Sequence, residues 1–81
     1  MRYYYTYVLK SEKDGYLYIG WTINYHKRLD QHNKGLVGAT KNRKPFKLIY
    51  FEGCLSKKGA ILREKQLKTG FGRAYLKRRL I

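Results

Sequence analysis

Acidic residues are scarce in this chain: five Asp and Glu stand against nineteen Lys and Arg, a formal net charge of +14 over 81 residues. So lopsided a balance goes beyond what solubility requires and is the electrostatic footprint of a polyphosphate partner, with nucleic acid the leading candidate. An anionic membrane surface fits less well, because the basic residues are spread through every segment instead of forming one face of an amphipathic helix. Cysteine is nearly missing too. Cys54 stands alone, so no intramolecular disulfide can form, and nothing resembles a Cys/His zinc cluster. A reducing, intracellular setting is the expectation. No apolar run approaches the roughly 18 residues needed to cross a bilayer, and Met1-Arg2-Tyr3-Tyr4-Tyr5 lacks the uniform apolar stretch of a signal peptide. A cytoplasmic protein with no membrane association is expected. There is no internal repeat and no low-complexity tract, and the length suits one domain, residues 1–81, with a modest core.

What the chain does contain is aromatic and β-branched density at its start. Tyr3 to Leu9 and Tyr16 to Thr22 read as two strands, with Glu12-Lys13-Asp14-Gly15 as the turn of a hairpin. Asn24 supplies an N-cap, and Tyr25, Leu29 and His32 recur at helical spacing until Gly35, which predicts a helix over 24–34. Gly35 to Pro45, with Lys41, Arg43 and Lys44, reads as an exposed basic loop. Phe46 to Phe51 makes a third strand. Ser56 caps a second helix to about Lys68, Gly70 and Gly72 break it, and Arg73 to Leu80 form a short terminal helix. The order β-β-α-β-α-α implies an α+β domain, an antiparallel sheet backed by helices with one face hidden and the other available. The hairpin places Tyr7 and Tyr18 on neighbouring strands; whether they share a face depends on the turn.

Glu64 is the strongest chemical clue. Ala60, Ile61, Leu67 and Phe71 fall on one stripe of the second helix at spacings of three and four, and Glu64 interrupts it. A buried carboxylate needs a cation, so Glu64 is expected to pair with an arginine or a metal; the alternative is a structural salt bridge or a position at the rim of the stripe. The other acids are worse placed. Glu12 and Asp14 sit in the turn, Asp30 on the solvent side of the first helix, and Glu52 at the end of the third strand. One carboxylate suffices for magnesium, whose remaining ligands are water and substrate phosphate, and no carboxylate pair for a two-metal site is evident.

Arg28 and His32, four apart, project from the same helix face beside Leu29 and could grip a phosphate together, or be an ordinary surface arginine and a structural histidine. His26 lies off that face. With nine tyrosines, none is significant by frequency, and a phenol acting as base would need cations nearby. Trp21 is either core or a base-stacking surface.

Tyr5-Thr6-Tyr7-Val8-Leu9, Tyr18-Ile19-Gly20-Trp21-Thr22, Arg28-Leu29, His32-Asn33, Thr40-Lys41, Arg43, Pro45, Lys47-Leu48-Ile49-Tyr50 and Arg63-Glu64-Lys65-Gln66-Leu67-Lys68 occur in that order. Together they resemble the small single-domain members of the GIY-YIG nuclease family over nearly the whole chain. The resemblance implies a three-stranded antiparallel sheet flanked by helices and hydrolysis of phosphodiesters with one Mg2+ or Mn2+ ion. It implies Tyr7 as base toward the attacking water, Tyr18 orienting that water or a phosphate oxygen, and Arg28 neutralising the scissile phosphate. Glu64 would anchor the metal and His32 would assist. The first motif reads Tyr5-Thr6-Tyr7 in place of Gly-Ile-Tyr. Trp21 and Thr22 stand where some relatives carry a lysine, so any proton-transfer role of that lysine falls to Tyr7 or His32. The expected partner is DNA, bound mainly through its backbone with low sequence specificity, in repair or processing, by a monomer that a protein partner could target. The alternative is a non-catalytic nucleic-acid-binding module on the same scaffold.

Overall fold

The computed structural model describes residues 2–80. The elements follow the expected order: β1 (Tyr4–Ser11), β2 (Leu17–Thr22), α1 (Tyr25–Asn33), β3 (Phe46–Cys54), α2 (Lys57–Leu67) and α3 (Gly70–Arg79). The strands form one antiparallel sheet in the order β2-β1-β3, so the first strand is central and the other two are edges. The β1–β2 turn is made by Gly15, at φ 75°, and by the Asp14 carboxylate, which accepts from the Tyr16 amide at 2.9 Å.

Alternation along β1 divides the molecule. Tyr7 and Leu9 point to the side covered by α1, where they pack with Phe46, Tyr18, Leu29 and Leu48. Val8 points to the other side, packing with Ile19, Leu67 and Leu76 under α2 and α3. Thr6 shares that second face and donates its hydroxyl to the Ala60 carbonyl of α2 at 2.9 Å. Both faces of the sheet are therefore covered, which corrects the expectation of one available face. The cause lies in the sequence of β1, where Tyr7, Val8 and Leu9 are all apolar enough to need burial on whichever side they emerge.

The β1–β3 pairing carries a bulge: Val8 lies opposite Tyr50 and Leu9 opposite Leu48, so Ile49 is the extra residue and joins Tyr50 against the aliphatic core. β3 continues to Cys54, past the predicted end at Phe51, because Glu52 finds partners within it. Arg63 of α2 grips both oxygens of Glu52 at 2.9 Å each, and the Tyr50 hydroxyl donates to it at 2.6 Å.

The helix caps match the sequence signals at Asn24 and Ser56, whose side chains accept from the Lys27 and Gly59 amides at 3.0 Å. The last helix departs from expectation. Thr69 caps it, accepting from the Gly72 amide at 3.2 Å, so Gly70 and Gly72 open α3 instead of merely ending α2. Gly72 is required there because a Cβ would collide with the backbone of Gln66 and Leu67, the tight corner between the two helices. That corner also removes Phe71 from the stripe assigned to it: Ala60 and Leu67 are buried, whereas Phe71 sits in the first turn of α3, 92% exposed.

Candidate functional site

β1 and β2 set the spacing of the two phenols. Tyr7 pairs with Gly20 and Leu9 with Tyr18, which puts both tyrosines on the α1 side with ring centroids 6.4 Å apart. Gly20 is what admits the Tyr7 ring. A Cβ at that position would lie 2.6 Å from the Tyr7 hydroxyl oxygen and 2.7 Å from the ring carbon that bears it, so any other residue would push the phenol away.

α1 brings the next two residues. His32, fully buried, places Nε2 2.9 Å from the Tyr7 hydroxyl oxygen, and its ring lies 4.9 Å from that of Tyr18. Its other nitrogen, Nδ1, is 2.7 Å from the Thr40 hydroxyl. Arg28, one turn earlier and half-buried, shares a groove with Trp21, Thr22, Ile23, Asn24, Lys27 and Gln31, and its guanidinium donates to the Gln31 side chain at 3.1 Å. The helix is pinned to the sheet by Asn33, whose amide side chain accepts from the Phe46 amide at 2.6 Å and donates to the Phe46 carbonyl at 3.1 Å.

Burial and charge tune these groups. Burial raises the Tyr7 phenol above the usual tyrosine value; the Arg28 guanidinium opposes this, while Tyr18 and Glu64 add to it. His32 is pushed down to about 4, by burial first and then by Arg28, so it is neutral at pH 7. Four of the five expected residues thus gather within electrostatic reach of one phenolic oxygen, and Glu64 acts on it from α2.

Glu64 enters from the other side of the sheet. Its carboxylate is mostly covered, its side chain 19% exposed, and its Oε2 pairs with Lys68 Nζ at 2.8 Å, one turn along the same helix. The expected arginine or metal partner is therefore replaced by the lysine that caps the C-terminus of α2, because position i+4 lies directly beside it. β2 is an edge strand, and a groove of about 630 Å³ runs along it between Tyr18 and the Leu67, Lys68, Arg73 and Leu76 side chains. The Glu64–Lys68 pair is anchored on the helix that walls this groove. Among the described residues no three His, Cys, Asp or Glu side chains cluster as metal ligands. A hard divalent ion still finds in Glu64 the donor class it prefers, since water and phosphate oxygens complete its shell, and the flexible Lys68 ammonium is the cation it would displace.

Three of the remaining acids, Asp14, Asp30 and Glu52, are engaged elsewhere. Asp30 pairs with Lys34 at 2.9 Å on the exposed side of α1, as expected, and Asp14 with Arg43 at 2.7 Å. Arg43, together with the Arg43 carbonyl that accepts from the Ser11 hydroxyl, ties the loop after α1 to the hairpin turn. This loop is not wholly exposed, as its composition suggests: Thr40 within it is fully buried against His32. Nothing in the spacing of Thr40 flags that contact, which is made across the loop after α1. Trp21 is half-buried on the α2 side with Lys57 Nζ 5.4 Å from its ring centre. His26 is exposed, its ring against Tyr25.

A model of the GIY-YIG catalytic domain matches residues 3–78. The chain is 47% identical to a UPF0213 protein of Syntrophus aciditrophicus over 66 residues, 79% of this chain and 75% of that one. It is 48% identical to a UPF0213 protein of Clostridium perfringens over 66 residues, 79% of this chain and 69% of the other. The solution NMR structure of a UPF0213 protein from Bacillus halodurans is similar in fold, with a TM-score of 0.56 at 28% identity, covering 91% of this chain and 81% of that one.

Proposed function

The chain belongs to the GIY-YIG family, a family of nuclease-type domains, and on that premise we propose a metal-dependent endonuclease that hydrolyses DNA phosphodiester bonds with little sequence preference, in repair or processing. The observation that carries this reading is the Tyr7 oxygen set 2.9 Å from His32 Nε2, with Tyr18 alongside and the Arg28 guanidinium near enough to oppose the effect of burial on the phenol. Burial holds this phenol protonated and the Arg28 guanidinium works against that burial, so in this reading Tyr7 gives its proton to solvent before it takes one from the attacking water.

In the reaction the deprotonated Tyr7 oxygen accepts the water proton, the water oxygen bonds to phosphorus, and the bond from phosphorus to the 3′ oxygen breaks, that oxygen taking a proton from solvent. Arg28 meets the charge that accumulates on the phosphate oxygens, with a fork of donors matched to them. Tyr18, on the accessible edge of the sheet, orients the water or a phosphate oxygen. His32 stays neutral and keeps the Tyr7 ring in place. Glu64 would hold one Mg2+ or Mn2+, which when bound supplies Lewis acidity at the leaving oxygen. The +14 charge supports backbone binding that is tolerant of sequence.

A non-catalytic nucleic-acid-binding module is favoured by one observation only, the lysine on the Glu64 carboxylate. The two readings part at Glu64→Ala, tested on plasmid, nicked, flap and single-stranded DNA with magnesium or manganese. The enzyme reading expects cleavage to fall at least ~100-fold with DNA binding retained. Wild-type protein that binds these substrates at high concentration and leaves all of them uncut overturns it.

A further inference from the structure

His32 has two ring nitrogens, each facing one hydroxyl, and the function of Tyr7 depends on which nitrogen bears the proton. Nδ1 lies 2.7 Å from Thr40 Oγ1 and Nε2 lies 2.9 Å from the Tyr7 oxygen. The 2.7 Å separation lies at the commonest distance for an O–H donor, and 2.9 Å at Nε2 accommodates an N–H donor to the Tyr7 oxygen. The other acceptor within reach of the Thr40 hydroxyl is the Val37 carbonyl, which is longer at 3.4 Å and already receives the Thr40 amide at 3.1 Å. We propose that Thr40 is a positioning residue: its buried hydroxyl donates to Nδ1, fixes His32 as the Nε2–H tautomer, and so aims a hydrogen-bond donor at the Tyr7 oxygen.

The consequence bears on how Tyr7 becomes a base, and it rests on that reading of the site. With Nε2 protonated, the phenolic oxygen receives a donor from His32, which favours phenolate over phenol as the nearby Arg28 charge does. With Nε2 bare, the phenol would instead donate to the imidazole, a bond that favours the protonated form. One hydroxyl in the loop after α1 therefore selects between a tyrosine ready to accept a proton and one locked as a donor. The charged and titratable groups around this oxygen are Arg28 on α1, Tyr18 on β2 and Glu64 on α2; the tautomer adds a neutral donor to their balance.

The test is a long-range proton–nitrogen correlation spectrum of histidine-labelled protein at pH 7.5, with His26→Gln removing the exposed second histidine. The expected spectrum shows His32 as the Nε2–H tautomer in the wild type and in Thr40→Ser, and a mixed or Nδ1–H population in Thr40→Val. The pH profile of cleavage supplies the second readout. The rising alkaline limb should move up by about one pH unit in Thr40→Val, a loss of about 10-fold near neutral pH, and Thr40→Ser should restore it. An Nδ1–H signal in the wild type overturns the inference even if Thr40→Val does not fold, and so do identical tautomers and pH profiles in wild type and Thr40→Val. If the wild type cleaves nothing, the nuclease reading fails by itself and the tautomer of the wild type still decides the role of Thr40.

Discussion

The two faces of the sheet are made of different chemistry although a single strand feeds both. Under α2 and α3, Val8, Ile19, Leu67 and Leu76 form an aliphatic core, rimmed by Glu52, Arg63, Tyr50 and Tyr75 in one hydrogen-bonded network. Under α1, the corresponding depth holds a phenol, an imidazole and a threonine hydroxyl in series. Every fully buried side-chain nitrogen and oxygen among the described residues has a partner. Burying polar groups costs free energy even when each is hydrogen-bonded, so the α1 face offsets with its buried Leu9 and Phe46 a cost that the aliphatic face does not carry.

That division is open to attack at its strongest point first. Leu67→Ala should destabilise the fold by about 3 kcal/mol, read as a lower denaturation midpoint in urea, while the His32 tautomer in the folded protein stays unchanged. A shifted tautomer would show that the faces are not independent. Acid should next weaken the α1 face. His32 in the folded state titrates at about 4 against about 6.5 in the unfolded chain, so the unfolded state takes the proton first. Its contribution is complete above pH 6.5 and is lost as pH falls toward 4. Between pH 7 and 4.5 this amounts to up to about 2 kcal/mol, and a His32→Gln variant should show a flatter stability profile over that interval. Equal profiles would show that the imidazole is not held neutral. The mildest perturbation is Lys68→Met. The Lys68 side chain is half exposed, so stability should change by less than about 0.5 kcal/mol. The divalent concentration for half-maximal cleavage should nevertheless fall by about 3-fold, since the competing cation on Glu64 is gone. An unchanged metal requirement would separate Glu64 from the metal.

Much of the fold was legible because its signals are local. Hairpin residues, the Asn24 and Ser56 caps and the glycine at φ 75° after α1 act within a few positions of themselves. What could not be read depends on contacts far apart in the chain. Gly70 and Gly72 look like breakers until Thr69 caps a new helix and the α2 backbone presses on Gly72. Glu52 looks terminal until Arg63 closes on it across eleven residues. The site divides in the same way. Arg28 and His32 share a helix face by spacing alone, and the hairpin register brings Tyr7 beside Tyr18. The lysine on Glu64 was one turn away and available to the same spacing rule, whereas the burial of Thr40 against His32 depends on how the loop after α1 folds back.

The extra residue at Ile49 lets the third strand slip while the hairpin keeps its own register. A sequence can therefore gain or lose a residue on that outer edge and absorb the change where the ladder is already irregular. The distance between the two phenols is insulated from such drift, because the β1–β2 register alone sets it.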